Sequence, residues 1–218
     1  MKTFSLSPSS LGLMEECPRC FWLAQHGIWK RPQSGFPTLP SGMDRILKIH
    51  FDKFRDKGEL PPEIRDHHHT KGLKLFQDSS LLSVWRNNLK GISWTDEKGN
   101  TLHGAVDNIL TDGKKLIVLD YKTKGFPIRN EQESGDSYQN QLDIYNFLLR
   151  KNGYETEDYG FLLFYIPSRV TETGEVVFDT LLVRRDTDIK NAEYLFDSAI
   201  KILNSECPQE GCEWCERF

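Results

Sequence analysis

Two short strand-like segments joined by a turn constrain the fold of this chain more than any other feature. The segments are residues 103–110 and 116–124. The five residues between them, 111–115, contain the pair Asp112-Gly113. An Asp-Gly pair between two apolar runs is typical of a turn that joins antiparallel strands. The pattern therefore predicts a β-hairpin.

The predicted hairpin brings charged groups together. Asp107 and Asp120 fall side by side on neighbouring strands, and Lys122 shares the face of Asp120 because side chains alternate along a strand. Asp120 follows the apolar run 116–119, where a charge costs free energy unless it is paired or bound to a metal. A same-face ion pair on an exposed strand is the alternative. Two carboxylates suit a hard divalent cation of the kind used in phosphate chemistry.

A third motif lies on a predicted helix, residues 130–151. Gln141 and Tyr145 are four positions apart, so they present together on one helix face. The alternative is an amphipathic core helix with Tyr145 in its apolar stripe. The chain thus has three groups of polar residues on predicted strands or helices: Asp107, Asp120 with Lys122, and Gln141 with Tyr145.

In this order, Gly104-x-x-Asp107, Asp120-x-Lys122 and Gln141-x-x-x-Tyr145 resemble the motifs of the PD-(D/E)XK nuclease superfamily. They are most similar to its RecB-like branch, which includes CRISPR-associated exonucleases with iron–sulfur clusters. The resemblance implies an α/β, restriction-endonuclease-like fold with an αβββαβ core, in which helices flank a mixed central sheet. It also implies a nuclease that uses Mg²⁺ or Mn²⁺ on single-stranded DNA or DNA ends. The catalytic residues would be Asp107, Asp120, Lys122, Gln141 and Tyr145.

The resemblance also implies a metal-ligand set. Asp107 and Asp120 would be ligands, with the backbone carbonyl of Tyr121, whose side chain points to the opposite face. RecB-like nucleases often add a histidine from a helix before the sheet, which makes His50 a candidate. The family spacing Gly-x-x-x-His is not met here, since Gly42 lies eight residues before His50. Asp44, on the same predicted helix, is an alternative ligand.

Two C-x-x-C pairs lie at opposite ends of the chain, Cys17–Cys20 and Cys212–Cys215. Four thiolates suit tetrahedral zinc or an iron–sulfur cluster, and the site would fasten the C-terminal tail to the first helix. The family's iron–sulfur proteins place one cysteine near the N-terminus and three near the C-terminus, so the match is partial. We expect a 4Fe-4S cluster held by Cys17, Cys20, Cys212 and Cys215, with zinc as the alternative and Cys207 as a reserve ligand.

Length, charge and composition set the remaining expectations. A chain of 218 residues predicts a single domain, with a helical N-terminal segment (1–60), a nuclease core (90–205) and a cysteine tail (206–218). Net charge is −4, but residues 1–57 hold nine basic and five acidic residues. That segment could contact phosphates, or its charges could be solvated helix surface. No apolar run approaches the ~20 residues of a membrane span, and no signal-peptide core is evident, so a cytoplasmic location is expected.

The remaining pattern predicts the order of elements. Helices are expected at 8–27, from Ser41 to Gly58, at 78–89, 130–151 and 187–204. Strands are expected at 91–96, 101–110, 115–123, 159–166 (ended by Pro167) and 175–183.

Two other functions remain open from the sequence. The first is a catalytically silent DNA-binding module of the same fold, with a DNA-repair or CRISPR-type protein partner. The second is a thiol redox protein that uses the C-x-x-C pairs.

Overall fold

The computed structural model describes residues 2–32, 38–130 and 135–217. The helices are α1 Pro8–Glu16, α2 Pro18–Gln25, α3 Thr38–Lys57, α4 Pro62–Arg65, α5 Ser79–Trp85, α6 Gln139–Lys151 and α7 Ile189–Leu203. The strands are β1 Ser5–Leu6, β2 Lys74–Leu75, β3 Ile92–Thr95, β4 Thr101–Gly104, β5 Asn108–Thr111, β6 Leu116–Thr123, β7 Tyr159–Val170 and β8 Val176–Asp186. Within these ranges, no helix has the length and apolar character needed to cross a membrane.

A five-stranded mixed sheet, ordered β2-β5-β6-β7-β8, lies between two groups of helices. Strand β6 runs parallel to β7, and the other neighbouring pairs are antiparallel. Alternate residues of β6 enter different cores: Ile117 belongs to the apolar cluster that contains Phe51 of α3, whereas Val118 belongs to the cluster that contains Leu148 of α6. A smaller sheet, ordered β1-β4-β3, adjoins the second core. This architecture confirms the predicted α/β fold class with a mixed sheet flanked by helices.

The hairpin predicted around Asp112-Gly113 is confirmed. Strands β5 and β6 pair antiparallel, with Asn108 opposite Leu119 and Thr111 opposite Leu116. Asp112 accepts two backbone hydrogen bonds within the turn, and Gly113 takes a positive φ of 102°, a conformation that favours glycine.

The single strand predicted over 101–110 is wrong, because the chain changes sheets in the middle of it. Residues 101–104 pair with β1 and β3 in the small sheet, whereas residues 108–111 pair with β2 and β6 in the large one. The intervening residues 105–107 form no strand, and the side chain of Val106 is fully buried. The crossing places Asp107 immediately before β5.

The single helix predicted over 8–27 is also wrong, because it divides at Cys17. That residue ends α1 and begins α2 in an extended conformation (φ −160°, ψ 103°). Pro18 is the cause: proline disfavours a helical conformation in the residue before it and is well placed in a first helical turn. The break aims the Cys17 thiol at the backbone N–H of Cys20, 3.4 Å away.

Two other predicted boundaries are corrected at prolines. Strand β7 continues past Pro167 to Val170, with a register shift against β8 between Pro167 and Arg169. Its pairing with β6 ends at Tyr165, so Pro167 lies where β7 has become an edge, the position in which a strand tolerates proline. Helix α3 begins at Thr38, before the predicted cap Ser41, and holds Pro40 in its first turn. Helix α6 begins at Gln139, and residues 131–134 of the predicted helix lie outside the described residues.

Candidate active site

Asp120 and Lys122 lie where strand β6 leaves the core. The four residues before them are buried and apolar, and Asp120 itself is 1% exposed. The Lys122 ammonium lies against Asp120 Oδ2, and it also donates a 2.9 Å hydrogen bond to Gln141 Oε1. The ring of Tyr138 lies 4.5 Å from Lys122 Nζ. Lys122 is therefore held in place by an acid, an amide and an aromatic face.

Asp107 reaches the same place from the start of β5. The register that pairs Asn108 with Leu119 brings Asp107 beside Asp120. Its Oδ2 accepts a hydrogen bond from the backbone N–H of Tyr121 at 2.9 Å. Burial, reinforced by the charge of Asp120, raises the pKa of Asp107. Two carboxylates thus share a partly desolvated space, as the hairpin predicted.

Helix α6 supplies the predicted pair Gln141 and Tyr145. Gln141 Nε2 donates to Tyr145 Oη at 2.7 Å and to Asp120 Oδ1 at 3.3 Å. Burial raises the pKa of the Tyr145 hydroxyl, so it remains protonated. The ring of Tyr145 packs on Gly104, where an added Cβ would lie 2.6 Å from its Cε1. Gly104 is therefore required by the close approach of β4 to α6.

Helix α3 adds a second carboxylate–lysine pair. Lys48 Nζ lies 2.8 and 2.9 Å from the two oxygens of Asp44 and 3.2 Å from Asp107 Oδ1. Burial raises the pKa of Asp44. Burial alone would lower the pKa of Lys48, but the carboxylates of Asp107 and Asp44 outweigh it and the pKa is raised. In the sequence, Lys48 belongs to the basic segment that could contact phosphates, and its i, i+4 spacing from Asp44 is the local signal for this pair.

These groups line one cavity of about 500 Å³, which we call the carboxylate cavity. Its lining includes the predicted residues Asp107, Asp120, Tyr121, Lys122, Gln141 and Tyr145, together with Asp44 and Lys48. A second cavity of about 440 Å³ adjoins it, shares Gln141 and Tyr145, and extends to Ser7 at the start of α1.

His50 does not line the carboxylate cavity. Its Nε2 lies 2.9 Å from Glu63 Oε1, and its ring packs edge-on against Phe54. Residues two positions apart point to nearly opposite sides of a helix, so His50 cannot share the face of Lys48. The predicted role of His50 as a metal ligand has no geometric support, and its alternative, Asp44, lies in the cavity.

An arginine that the sequence did not indicate fixes the backbone at Asp107. Arg86 Nε donates to the Asp107 carbonyl oxygen at 2.7 Å, and its Nη1 lies 2.8 Å from both oxygens of Asp52. Arg55, 2% exposed, donates to Asn108 Oδ1 at 2.7 Å. These contacts join residues far apart in the chain, so no local pattern reveals them.

The two ends of the chain meet at the cysteines. Among the described residues, one group of cysteine, histidine or acidic side chains has ligand atoms all within 4.8 Å of one another, and it is Cys17, Cys20, Cys212 and Cys215. Cys207 is outside this group, with its Sγ 3.7 Å from the carbonyl oxygen of Pro208. The structure thus brings together the four predicted cysteines, which could hold a metal.

Charge around the cysteines is compensated locally. Arg31 donates from Nε to Cys20 Sγ at 3.3 Å and from Nη2 to Cys212 Sγ at 3.4 Å. The backbone N–H of Cys215 lowers the pKa of Cys212 to about 6, whereas burial raises that of Cys20 to about 12. A bound cation would favour the thiolate form at every position.

Comparison with a family profile agrees with the motifs. The sequence profile of the PD-(D/E)XK nuclease superfamily matches residues 5–217, and the chain belongs to this superfamily. The solved structure of SSO0001 is similar at 16% identity and a TM-score of 0.41, over 94% of this chain and 79% of that one. No curated protein sequence matches significantly.

Proposed function

We propose that this chain is a divalent-metal-dependent deoxyribonuclease of the RecB-like branch, acting on single-stranded DNA or DNA ends. The observation that carries the proposal is the convergence of Asp107, Asp120 and Lys122 in one cavity. Gln141 adds hydrogen bonds to both members of the Asp120–Lys122 pair. Phosphodiester hydrolysis needs positive charge at the phosphate oxygens and a water that can lose a proton near neutral pH.

The carboxylates fit a hard cation such as Mg²⁺ or Mn²⁺. Within the described residues, Asp120 Oδ2 is buried and makes no hydrogen bond of acceptable geometry, although the Lys122 ammonium lies against it. The Lys48 ammonium lies between Asp44 and Asp107, so a positive charge already offsets the negative charge of these two carboxylates. Such clustered oxygens are donors that divalent cations prefer. We assign Asp107, Asp120 and the Tyr121 carbonyl as ligands, with Asp44 in place of His50.

The protein's own groups then have separable tasks. A cation held by the carboxylates would lower the pKa of a bound water and offset charge on the phosphate. Lys122 donates hydrogen bonds to the attacking water or to a phosphate oxygen, and Gln141 keeps its ammonium in the cavity. Tyr145, protonated and buried, fixes the Gln141 amide. Lys48 is a second cation available to the phosphate.

A DNA strand is the substrate that the surroundings support. The N-terminal segment is basic while the rest of the chain is acidic, and α3 of that segment supplies Lys48 to the cavity. The two adjoining cavities share Gln141 and Tyr145, so together they offer an extended groove beside the carboxylates. A DNA-repair or CRISPR-type protein partner remains a prediction from the resemblance, and a cytoplasmic location remains a prediction from the sequence pattern.

Cleavage of end-labelled DNA tests the proposal. We expect single strands and linear duplexes to be degraded with Mn²⁺ or Mg²⁺, and closed circles to resist; chelator should stop the reaction. Asp107→Ala should abolish cleavage, and Lys122→Ala should lower kcat by about 10²–10⁴-fold.

Lys114→Ala is the matched control, because Lys114 is an exposed lysine of the same hairpin. Its rate should equal that of the wild type. If the wild type retains DNA without cutting it under any divalent ion, the catalytically silent module is the better description and the enzyme proposal is wrong.

A further inference from the structure

We propose that the four-cysteine site holds one zinc ion, not the 4Fe-4S cluster expected from the resemblance. Zinc binds thiolate sulfur at about 2.3 Å in a tetrahedron, which separates neighbouring sulfurs by about 3.8 Å. The Sγ–Sγ distances are 3.5 Å for Cys20–Cys212, 3.8 Å for Cys17–Cys215 and 3.9 Å for Cys212–Cys215. Three sulfur pairs therefore lie close to the spacing expected around one tetrahedral ion, and all four sulfurs lie within 4.8 Å of one another.

A cluster of four irons requires a wider cage. Each thiolate then binds a different iron at one corner of a cube, and the Fe–S bonds point outward, so the ligands are spread beyond the corners. Here all four sulfurs lie within 4.8 Å of one another. That spacing leaves no room between them for four iron and four sulfide atoms.

Hydrogen bonds to the sulfurs support a compact tetrathiolate. Backbone N–H groups of Cys20 and Cys212 donate to Cys17 Sγ and Cys215 Sγ at 3.4 and 3.2 Å. Zn²⁺ with four thiolates carries a net charge of about −2. The Arg31 guanidinium offsets part of that charge through its bonds to Cys20 and Cys212, and is itself held by Glu16 at 2.6 Å. Such outer contacts orient ligands and tune affinity.

The site is structural in character. All four positions of a tetrahedron are filled by protein sulfur, which leaves none for water or substrate. None of the four cysteines lines the carboxylate cavity. Gly211 lies so close that a Cβ there would be 2.9 Å from Cys215 Sγ, so the tail is shaped around the sulfurs. The ion would join α2 to the tail whether or not the chain is a nuclease.

Metal analysis of the full chain tests the proposal. Protein should be purified anaerobically from iron-supplemented cells, so that iron is available to the site. We expect about one zinc per chain, neither iron nor acid-labile sulfide, and no visible absorbance. Iron and sulfide in near-fourfold amounts, with a broad visible band, would overturn the proposal.

Reconstitution of the apoprotein removes the effect of metal supply during expression. Co²⁺ should give the visible bands of a tetrahedral tetrathiolate site, and added zinc should erase them. Iron, sulfide and thiol should yield no cluster that survives desalting; a surviving cluster would contradict the zinc assignment. Cys212→Ser should lose the cobalt bands, and Cys207→Ser, the matched control outside the sulfur group, should retain them.

The role of Arg31 has its own readout. Arg31→Ala should weaken zinc binding by about 10–100-fold in a chelator competition, as removal of an outer-shell partner commonly does. Lys30→Ala, an exposed neighbouring cation, should leave the zinc affinity unchanged. Equal losses in both variants would show a general charge effect and remove Arg31 from the site.

Discussion

Gln141 has a donor and an acceptor on one amide, and the carboxylate cavity uses both. Its Oε1 accepts from Lys122, while its Nε2 donates to Asp120 and Tyr145. An ionised carboxylate at this position would have no donor for Asp120 and would add like charge beside it. Gln141 therefore positions the Lys122 ammonium through one amide oxygen and contacts Asp120 and Tyr145 through its nitrogen.

Replacing this amide should separate catalysis from metal binding. We expect Gln141→Leu to lower kcat by about 10²-fold, because Lys122 loses the acceptor that holds it. The Kd for Mn²⁺, measured by titration, should change little, because both carboxylates remain. Gln77→Leu removes an amide outside the cavity and should have wild-type kinetics. A Gln141→Leu protein with unchanged kcat would show that the amide does not act on Lys122.

Asp107 should make the metal-free protein sensitive to pH. Because its pKa is raised in the folded state, mainly by burial, folding favours its protonated form. The stability that this proton contributes is present below the unfolded pKa of about 3.9 and is lost as the pH rises through the folded pKa. In chelator, we expect the wild type to lose more stability than Asp107→Asn over that pH window.

Urea denaturation at several pH values, with and without chelator, measures this difference. Asp107→Asn should also lose the stabilisation that Mn²⁺ gives the wild type near neutral pH. Parallel pH profiles of the two proteins would contradict the assigned direction of the Asp107 pKa shift.

Strand β4 and helix α6 meet at a contact that leaves no room for a side chain at Gly104. Tyr145 occupies the space in which a Cβ at Gly104 would lie. This explains why a glycine stands three residues before Asp107: it lets Tyr145 and Gln141 approach the crossing between the two sheets. The glycine is thus required by the packing of two elements and not by an unusual backbone angle.

Gly104→Ala should displace helix α6 and destabilise the fold by about 1–3 kcal/mol, the usual cost of overpacking. In a Tyr145→Ala background the same change should cost much less, because its clash partner is gone. Chemical denaturation of the wild type, both single variants and the double variant gives the coupling energy. Additive effects would mean that Gly104 and Tyr145 do not compete for space.

The elements that the sequence predicted correctly depend on local chemistry. The Asp-Gly turn determines the β5–β6 register, and that register alone brings Asp107 to Asp120. The wrong predictions occur where contacts between segments far apart in the chain determine the secondary structure. Residues 101–104 pair with β3, their neighbour in the chain, and also with β1, where Ser5 lies opposite Thr101 across nearly a hundred residues. The break at Cys17, in contrast, has a local cause, because Pro18 follows it directly.

The residues of the candidate site also divide into those that local spacing indicates and those that depend on contacts between distant elements. Spacing within motifs indicated Asp120 with Lys122 and Gln141 with Tyr145, because each pair lies on one element. Arg86 was not found, since its contacts with Asp52 and Asp107 exist only after three elements pack. His50 was selected by resemblance, but its helix turns it towards Glu63.

At the scale of the whole molecule, four cysteines bring the two ends of the chain together. Cys17 and Cys215 are 198 positions apart, and their sulfurs lie 3.8 Å from each other. A shared metal would therefore link the two ends and restrict almost the entire unfolded chain. Loop-closure entropy grows slowly with length, and a cross-link of this span contributes about 5 kcal/mol in the chain-entropy model. This contribution does not depend on which metal is bound.

Cys215→Ser should consequently lower Tm by about 10–20 °C, since 1 kcal/mol corresponds to about 2–4 °C for a chain of this size. Cys207→Ser removes a thiol that lies outside the sulfur group and should melt like the wild type.

Mn²⁺ should still raise the Tm of Cys215→Ser, because the carboxylate cavity contains no cysteine. Scanning calorimetry of the three proteins, with and without Mn²⁺, distinguishes the two centres. Equal Tm values for the two cysteine variants would show that no metal joins the chain ends, and loss of the Mn²⁺ response in Cys215→Ser would show that the two centres depend on each other.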